Sequence, residues 1–125
     1  MGKYVGWINH RGKSILFVNA SGLKEREYLA ALEELKQERA KLREAVPVLI
    51  DLSRTPMTAA TTEKGKEVAA ASTASGVPEG PVAMVGLTML ARAVAQMFRR
   101  GTHYTDSLEE AKEWLVREDE RRQRK

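Results

Sequence analysis

The sequence has no cysteine, which excludes disulfides, thiolate metal sites and thiol nucleophiles together. Histidine is nearly missing as well. His10 and His103 lie far apart, too sparse for a metal cluster or a Ser-His-Asp relay, and both are expected at the surface. Aromatic residues make up only 6%, a poor supply for stacking single-stranded nucleic acid. Long apolar runs are also absent. The longest, residues 82–91, is about half the ~20 residues that cross a bilayer. The opening MGKYVGWINHRGK has no uninterrupted apolar core of the kind a secretory signal needs. The expected compartment is therefore the cytoplasm, where the glycosylation triplet at Asn19 is a chance match.

What is present fits one folded domain. The chain has 125 residues, 42% hydrophobic and 30% charged, which is too apolar for disorder. The net charge of +4 is spread thinly. Residues 23–45, for example, hold six basic and six acidic side chains. No segment is a basic arm, so the charge supports solubility better than nucleic-acid binding. Arg92, Arg99, Arg100 and Lys112 are the candidates for a basic patch, with a solvated basic face as the simpler reading.

Residues 4–8 are β-rich, residues 9–13 carry a turn with Gly12, and the apolar core of 14–19 suits a strand covered on both faces. The segment 23–45 is rich in strong helix formers, with Tyr28, Leu32, Leu35 and Leu42 on one stripe and Arg39 interrupting it. Residues 46–51 form a short apolar strand ending in Asp51. An Ala- and Thr-rich helix over 58–74 follows, with Gly65 inside it. A third buried strand covers 82–85. Leu87, Leu90, Val94, Met97 and Phe98 then make a helical stripe expected to face the core. Residues 103–105 are a short strand. Ser107 and Glu110 form a capping box before a helix with Leu108, Ala111, Trp114 and Leu115 on one face. A single domain over 1–116 is expected, followed by a polar tail at 117–125 that frays or stays disordered. The order β-β-α-β-α-β-α-β-α implies an α/β fold: a mixed, mostly parallel sheet opened by an antiparallel hairpin.

The opening hairpin, the strand ending in Ile50-Asp51-Leu52-Ser53, the strand at 82–85 and the segment from Tyr104 to Leu115 together resemble the STAS fold. More closely they resemble its SpoIIAA-like branch, the anti-sigma-factor antagonists and small stand-alone relatives. The resemblance covers residues 4–116. It implies a cytoplasmic, non-enzymatic regulatory module that binds a protein partner, an anti-sigma factor or a kinase-like protein. It also implies a phosphorylated Ser or Thr where the helix begins after the Asp-Leu-Ser strand end. The family's usual Asp-Ser pair is absent there. The stretch reads Thr55-Pro56-Met57-Thr58-Ala59-Ala60, and Thr58 is the substitute phosphoacceptor. Its simpler role is to cap the helix.

In a parallel sheet, loops at the carboxyl ends of strands carry the site. The candidate partner- or ligand-binding residues are therefore Asp51, Ser53, Arg54, Thr55, Thr58 and Thr88. The simpler role of Asp51 is to cap nearby amides, and that of Thr88 is to start its helix. Gly65-Lys66 fails as a phosphate loop, because Ala60 and Glu67 occupy positions that need Gly and Ser or Thr. No nucleophile elbow or HExxH helix occurs, and no cofactor is expected. A second functional reading is a carrier of lipid or another small molecule, with a CRAL-TRIO-like apolar cleft between the Ala-rich helix and the 90–98 helix. Trp7 is the candidate contact for a homodimer, on an edge strand.

Overall fold

A computed structural model describes residues 2–98 and 101–124. Its elements follow the expected order. Strands β1 (Val5–His10) and β2 (Lys13–Asn19) form the antiparallel hairpin. Arg11 and Gly12 make its turn, both with positive φ, 53° and 81°. Such a pair matches the natural twist of a hairpin, so the strands run closer to the turn than the wider 9–13 loop expected. Strands β3 (Val48–Asp51), β4 (Val82–Val85) and β5 (His103–Thr105) add in parallel, and the sheet order is β1-β2-β3-β4-β5.

The sheet is covered on both sides. Helices α1 (Glu25–Ala40), α2 (Ala59–Ala74) and α3 (Met89–Phe98) pack on the face that carries Leu16, Val18, Val48 and Ile50. Helix α4 (Leu108–Gln123) covers the other face over Ile15, Leu49, Ala83 and Val85. Adjacent residues of the central strands thus enter different cores, which explains why these segments read as continuous apolar runs. At the open edge, the Glu34 carboxylate on α1 accepts hydrogen bonds from the Tyr4 and Val5 amides at 2.8 and 3.1 Å. That occupies donors an edge strand would otherwise present to another chain.

Helix α1 stops at Ala40, short of the expected 45. The Lys41 and Leu42 amides bond to Glu38 and Arg39 carbonyls in a tightened last turn, and Pro47 requires an extended approach to β3. Arg39, the break in the stripe, pairs with Glu79 at 3.0 Å. Few ion pairs run along α1. Instead Lys64 meets Glu33 at 2.5 Å and Lys36 meets Glu67 at 2.7 Å across the α1–α2 seam. The hydrogen bond from Lys64 holds the Glu33 carboxyl below its usual pKa, and that from Lys36 does the same for Glu67.

Three expectations fail around α3 and α4. The stripe of Leu90, Val94 and Met97 does not face the core. Leu87, Ala91 and Ala95 do, while Leu90 and Met97 remain 77% and 85% exposed. The core side of α3 carries the small side chains Ala91 and Ala95, and the larger side chains fall on its outer side. Over the described residues 117–124 the polar end is helical, as one of the two forms expected, but it is not frayed: α4 continues to Gln123. Asp119 is buried there and accepts from Lys13 Nζ at 3.0 Å, tying the last turns to β2. The capping box is half made. Ser107 Oγ accepts from the Glu110 amide, but the Glu110 carboxylate turns to His103 at 2.8 Å.

The two histidines are half-buried, not simple surface groups. His10 ends β1 and meets Glu113 at 2.6 Å, while His103 stacks on Trp114 with ring centroids 4.7 Å apart. Trp114 is half-buried, under that ring on one side and packed against the α4-side core. The expected core position of Phe98 concerns a side chain outside the described residues.

Candidate functional site

The loops after β2, β3, β4 and β5 all leave the same end of the sheet, as parallel pairing requires. Backbone hydrogen bonds lace them together. The Ala20 amide donates to the Asp51 carbonyl at 3.0 Å, Leu52 to Val85 at 2.8 Å, and Gly86 to Thr105 at 3.0 Å. The β3–α2 and β4–α3 loops therefore keep a set spacing, and the N-termini of α2 and α3 open side by side. Between them lies a groove of about 620 Å³.

Asp51 does not point into that groove. It is buried, and its Oδ1 accepts from the Ser53 amide at 3.0 Å and the Ser53 hydroxyl at 2.7 Å. This is the capping role, and it shapes the loop. Ser53 is then pressed beneath Gly86, where an added Cβ would come within 2.6 Å of the Ser53 Cα. Neither Asp51 nor Ser53 lines the groove.

The other four candidates do line it. Arg54 is exposed, with a positive φ of 59° and a 3.5 Å hydrogen bond from its guanidinium to Ser21 Oγ. The Thr55 hydroxyl donates to the Ala20 carbonyl, binding the β3–α2 loop to the one after β2. Thr58 is the N-cap of α2. Its Oγ1 accepts from the Thr61 amide at 3.2 Å, and the buried Thr61 hydroxyl accepts from the Thr58 amide at 2.8 Å. Thr88 begins α3, its Oγ1 accepting from the Ala91 amide at 3.2 Å. Both threonines thus have the structural role expected of them. Arg54, Thr55, Thr58 and Thr88 share one groove; Asp51 and Ser53 build its supporting loop.

Sequence reasoning missed the apolar lining. Pro56, Met57, Leu90 and Val94 line the groove with the threonines. Met89, Leu90 and Met97 are the large apolar side chains left exposed on α3, at 79%, 77% and 85%. A signal was available. Leu87, Ala91 and Ala95 recur every four residues, a second stripe competing for the core side.

Beneath the groove, between α1, α2 and the sheet, an apolar cavity of about 50 Å³ touches Tyr28, Thr61 and Val68. Burial raises the Tyr28 phenol above its ordinary pKa. Pockets that enclose a drug-sized ligand are roughly 300–1,000 Å³, so this void holds no acyl chain. The expected basic patch is divided. Lys112 lies on α4 and pairs with Glu109, whereas Arg92 lies on α3, against the other face of the sheet, and pairs with Asp106 at 3.3 Å. Arg99 and Arg100 are outside the described residues. Among the described residues, no cluster of three or more His, Asp or Glu is placed to hold a metal, and no helix is long and apolar enough to cross a membrane.

This architecture has a counterpart among solved structures. An uncharacterised protein of the DUF3478 family with a SpoIIAA-like fold, from Shewanella loihica PV-4, superposes with a TM-score of 0.64 at 20% sequence identity. The match covers 89% of this chain and 91% of that one. No protein-family model matches the sequence, and no curated protein matches it. The chain thus has a SpoIIAA-like α/β fold: a five-stranded mixed sheet with one antiparallel pair.

Proposed function

We propose that the chain is a non-enzymatic regulatory module of the cytoplasm that docks a protein partner through the groove between α2 and α3. The observation that carries this is the exposure of Met89, Leu90 and Met97 beside that groove. Contiguous apolar surface left in water is costly unless another molecule covers it. The likeness in fold to anti-sigma-factor antagonists supports an anti-sigma factor or kinase-like protein as the partner class. The carrier reading has the groove, but the apolar cavity beneath it, about 50 Å³ among the described residues, is too small to enclose a lipid.

Thr58 caps α2, its Oγ1 accepting from the Thr61 amide. A phosphate at this position is electrostatically compatible with a helix N-terminus but displaces the bond from the Thr61 amide. Co-purification from the native host tests the reading. Wild-type chain recovers a defined partner, and the Arg54→Ala/Leu90→Glu double variant loses it while melting at an unchanged temperature. Equal recovery by the variant places the docking surface elsewhere. Phosphate on Thr58 in the purified native protein, seen by mass spectrometry, would return the switch.

A further inference from the structure

The chemistry of the groove selects among partners. Its lining contains one charged side chain, Arg54, and no carboxylate. The two segments that build it, 52–62 and 80–105, contain no Asp or Glu at all, in a chain that has 17. Neither α2 nor α3 carries an acidic residue in its first turn. Both helix N-termini therefore keep their partial positive charge uncompensated beside the groove. Away from that end the walls are apolar: Met57, Leu87, Leu90 and Val94. Met89 and Met97 continue the apolar surface along α3.

We infer that this groove takes an amphipathic helix of a partner protein, with apolar anchors spaced three and four apart and carboxylates at the end that meets Arg54. The inference rests on the docking role proposed above and names its ligand class. Flexible methionines adapt to such anchors, and an amphipathic helix laid in a groove is a general mode of peptide recognition. The shape disfavours a lipid surface, because Leu90 and Val94 wall a concavity that a flat bilayer does not enter. The charge disfavours a second copy. Among the described residues, the large apolar side chain left exposed outside α3 is Trp7, on the far edge strand. A symmetric α3–α3 contact would bring together two grooves whose one charged lining residue is Arg54, with no carboxylate in either lining to meet it.

The test is selection from a displayed library of 20-residue helix-forming peptides against the immobilised full chain at physiological salt. Selected peptides are expected to carry an apolar stripe and net negative charge. The best of them, made synthetically, should bind Leu90→Glu at least tenfold more weakly. Arg54→Glu should weaken acidic peptides several-fold, and added salt should shrink that effect. Leu90 and Arg54 are exposed, so both variants fold, and a thermal melt verifies it. Selection of neutral or basic peptides, equal binding by Leu90→Glu, or no enrichment overturns the inference. So does co-sedimentation with phosphatidylserine vesicles, or a dimer abolished by Leu90→Glu, in place of peptide binding. If a host partner is recovered in a Leu90-dependent way while acidic helices fail, the docking role stands and this ligand class falls.

Discussion

Gly86 and Ser53 pack so tightly that no side chain fits between them: a Cβ on Gly86 would lie 2.6 Å from the Ser53 Cα and Oγ. Gly86 also has φ +86°, a region L side chains rarely adopt. This contact sets the distance between the β3–α2 and β4–α3 loops, and with it the width of the groove. Gly86→Ala should destabilise the fold by roughly 1–3 kcal/mol, read from the urea midpoint. Gly76→Ala is the control: φ is +77° and nothing lies within 4 Å of the added methyl. It should lose only the backbone part, and equal losses from the two would mean that the Ser53 contact contributes nothing.

Thr58 should behave as a cap. Thr58→Ala removes the acceptor for the Thr61 amide and is expected to cost about 1 kcal/mol. Thr58→Ser and Thr58→Asp keep an acceptor oxygen and should lose much less. Equilibrium unfolding measures all three, and an Asp variant no better than Ala would contradict the capping role.

The end of α4 depends on one ion pair. Lys13→Met leaves the buried Asp119 carboxylate with Gln123 as its remaining hydrogen-bond partner, so a loss of roughly 1–3 kcal/mol is expected. Lys13→Met/Asp119→Leu should recover part of it, because no buried charge then remains unpaired. Amide exchange over 117–123 should quicken in the single variant. Unchanged protection there would show that the helix end stands without β2.

Acid should release the clamps between α4 and the strand ends. The Glu110 carboxyl is held below its usual pKa chiefly by the hydrogen bond from His103, and Glu113 chiefly by that from His10. A carboxyl with a depressed folded pKa contributes stability above its unfolded value, near ~4.3, and loses it as pH falls through the folded value. Melting temperatures of wild type and Glu110→Gln/Glu113→Gln should differ most near neutrality and converge below about pH 4. A gap that widens in acid would reverse the sign. Both carboxyls are solvent-accessible, so the effect is modest.

Much of this molecule was legible from local pattern. The strands expected at 14–19, 46–51 and 82–85 announced themselves as apolar runs bounded by turn residues, and the observed β2, β3 and β4 are covered on both faces, β3 starting two residues later at Val48. Thr58 and Thr88 could be recognised as helix starts because an N-cap acts within three residues. The roles of Glu34, Asp119 and the Glu110–His103 pair were not legible. Each joins groups distant in sequence or replaces a local bond with a tertiary one.

By itself the amino-acid sequence determined the order of elements, the mixed α/β sheet and the set of loops at the carboxyl ends of its strands. Periodicity, turn chemistry and capping are short-range and survive without knowledge of the partners. Only the tertiary structure decided which stripe of α3 faces the sheet. Two apolar stripes compete there, and burial falls to Leu87, Ala91 and Ala95 while Leu90 and Met97 are left facing outward. A stripe that pattern alone assigns to the core thus becomes exposed surface.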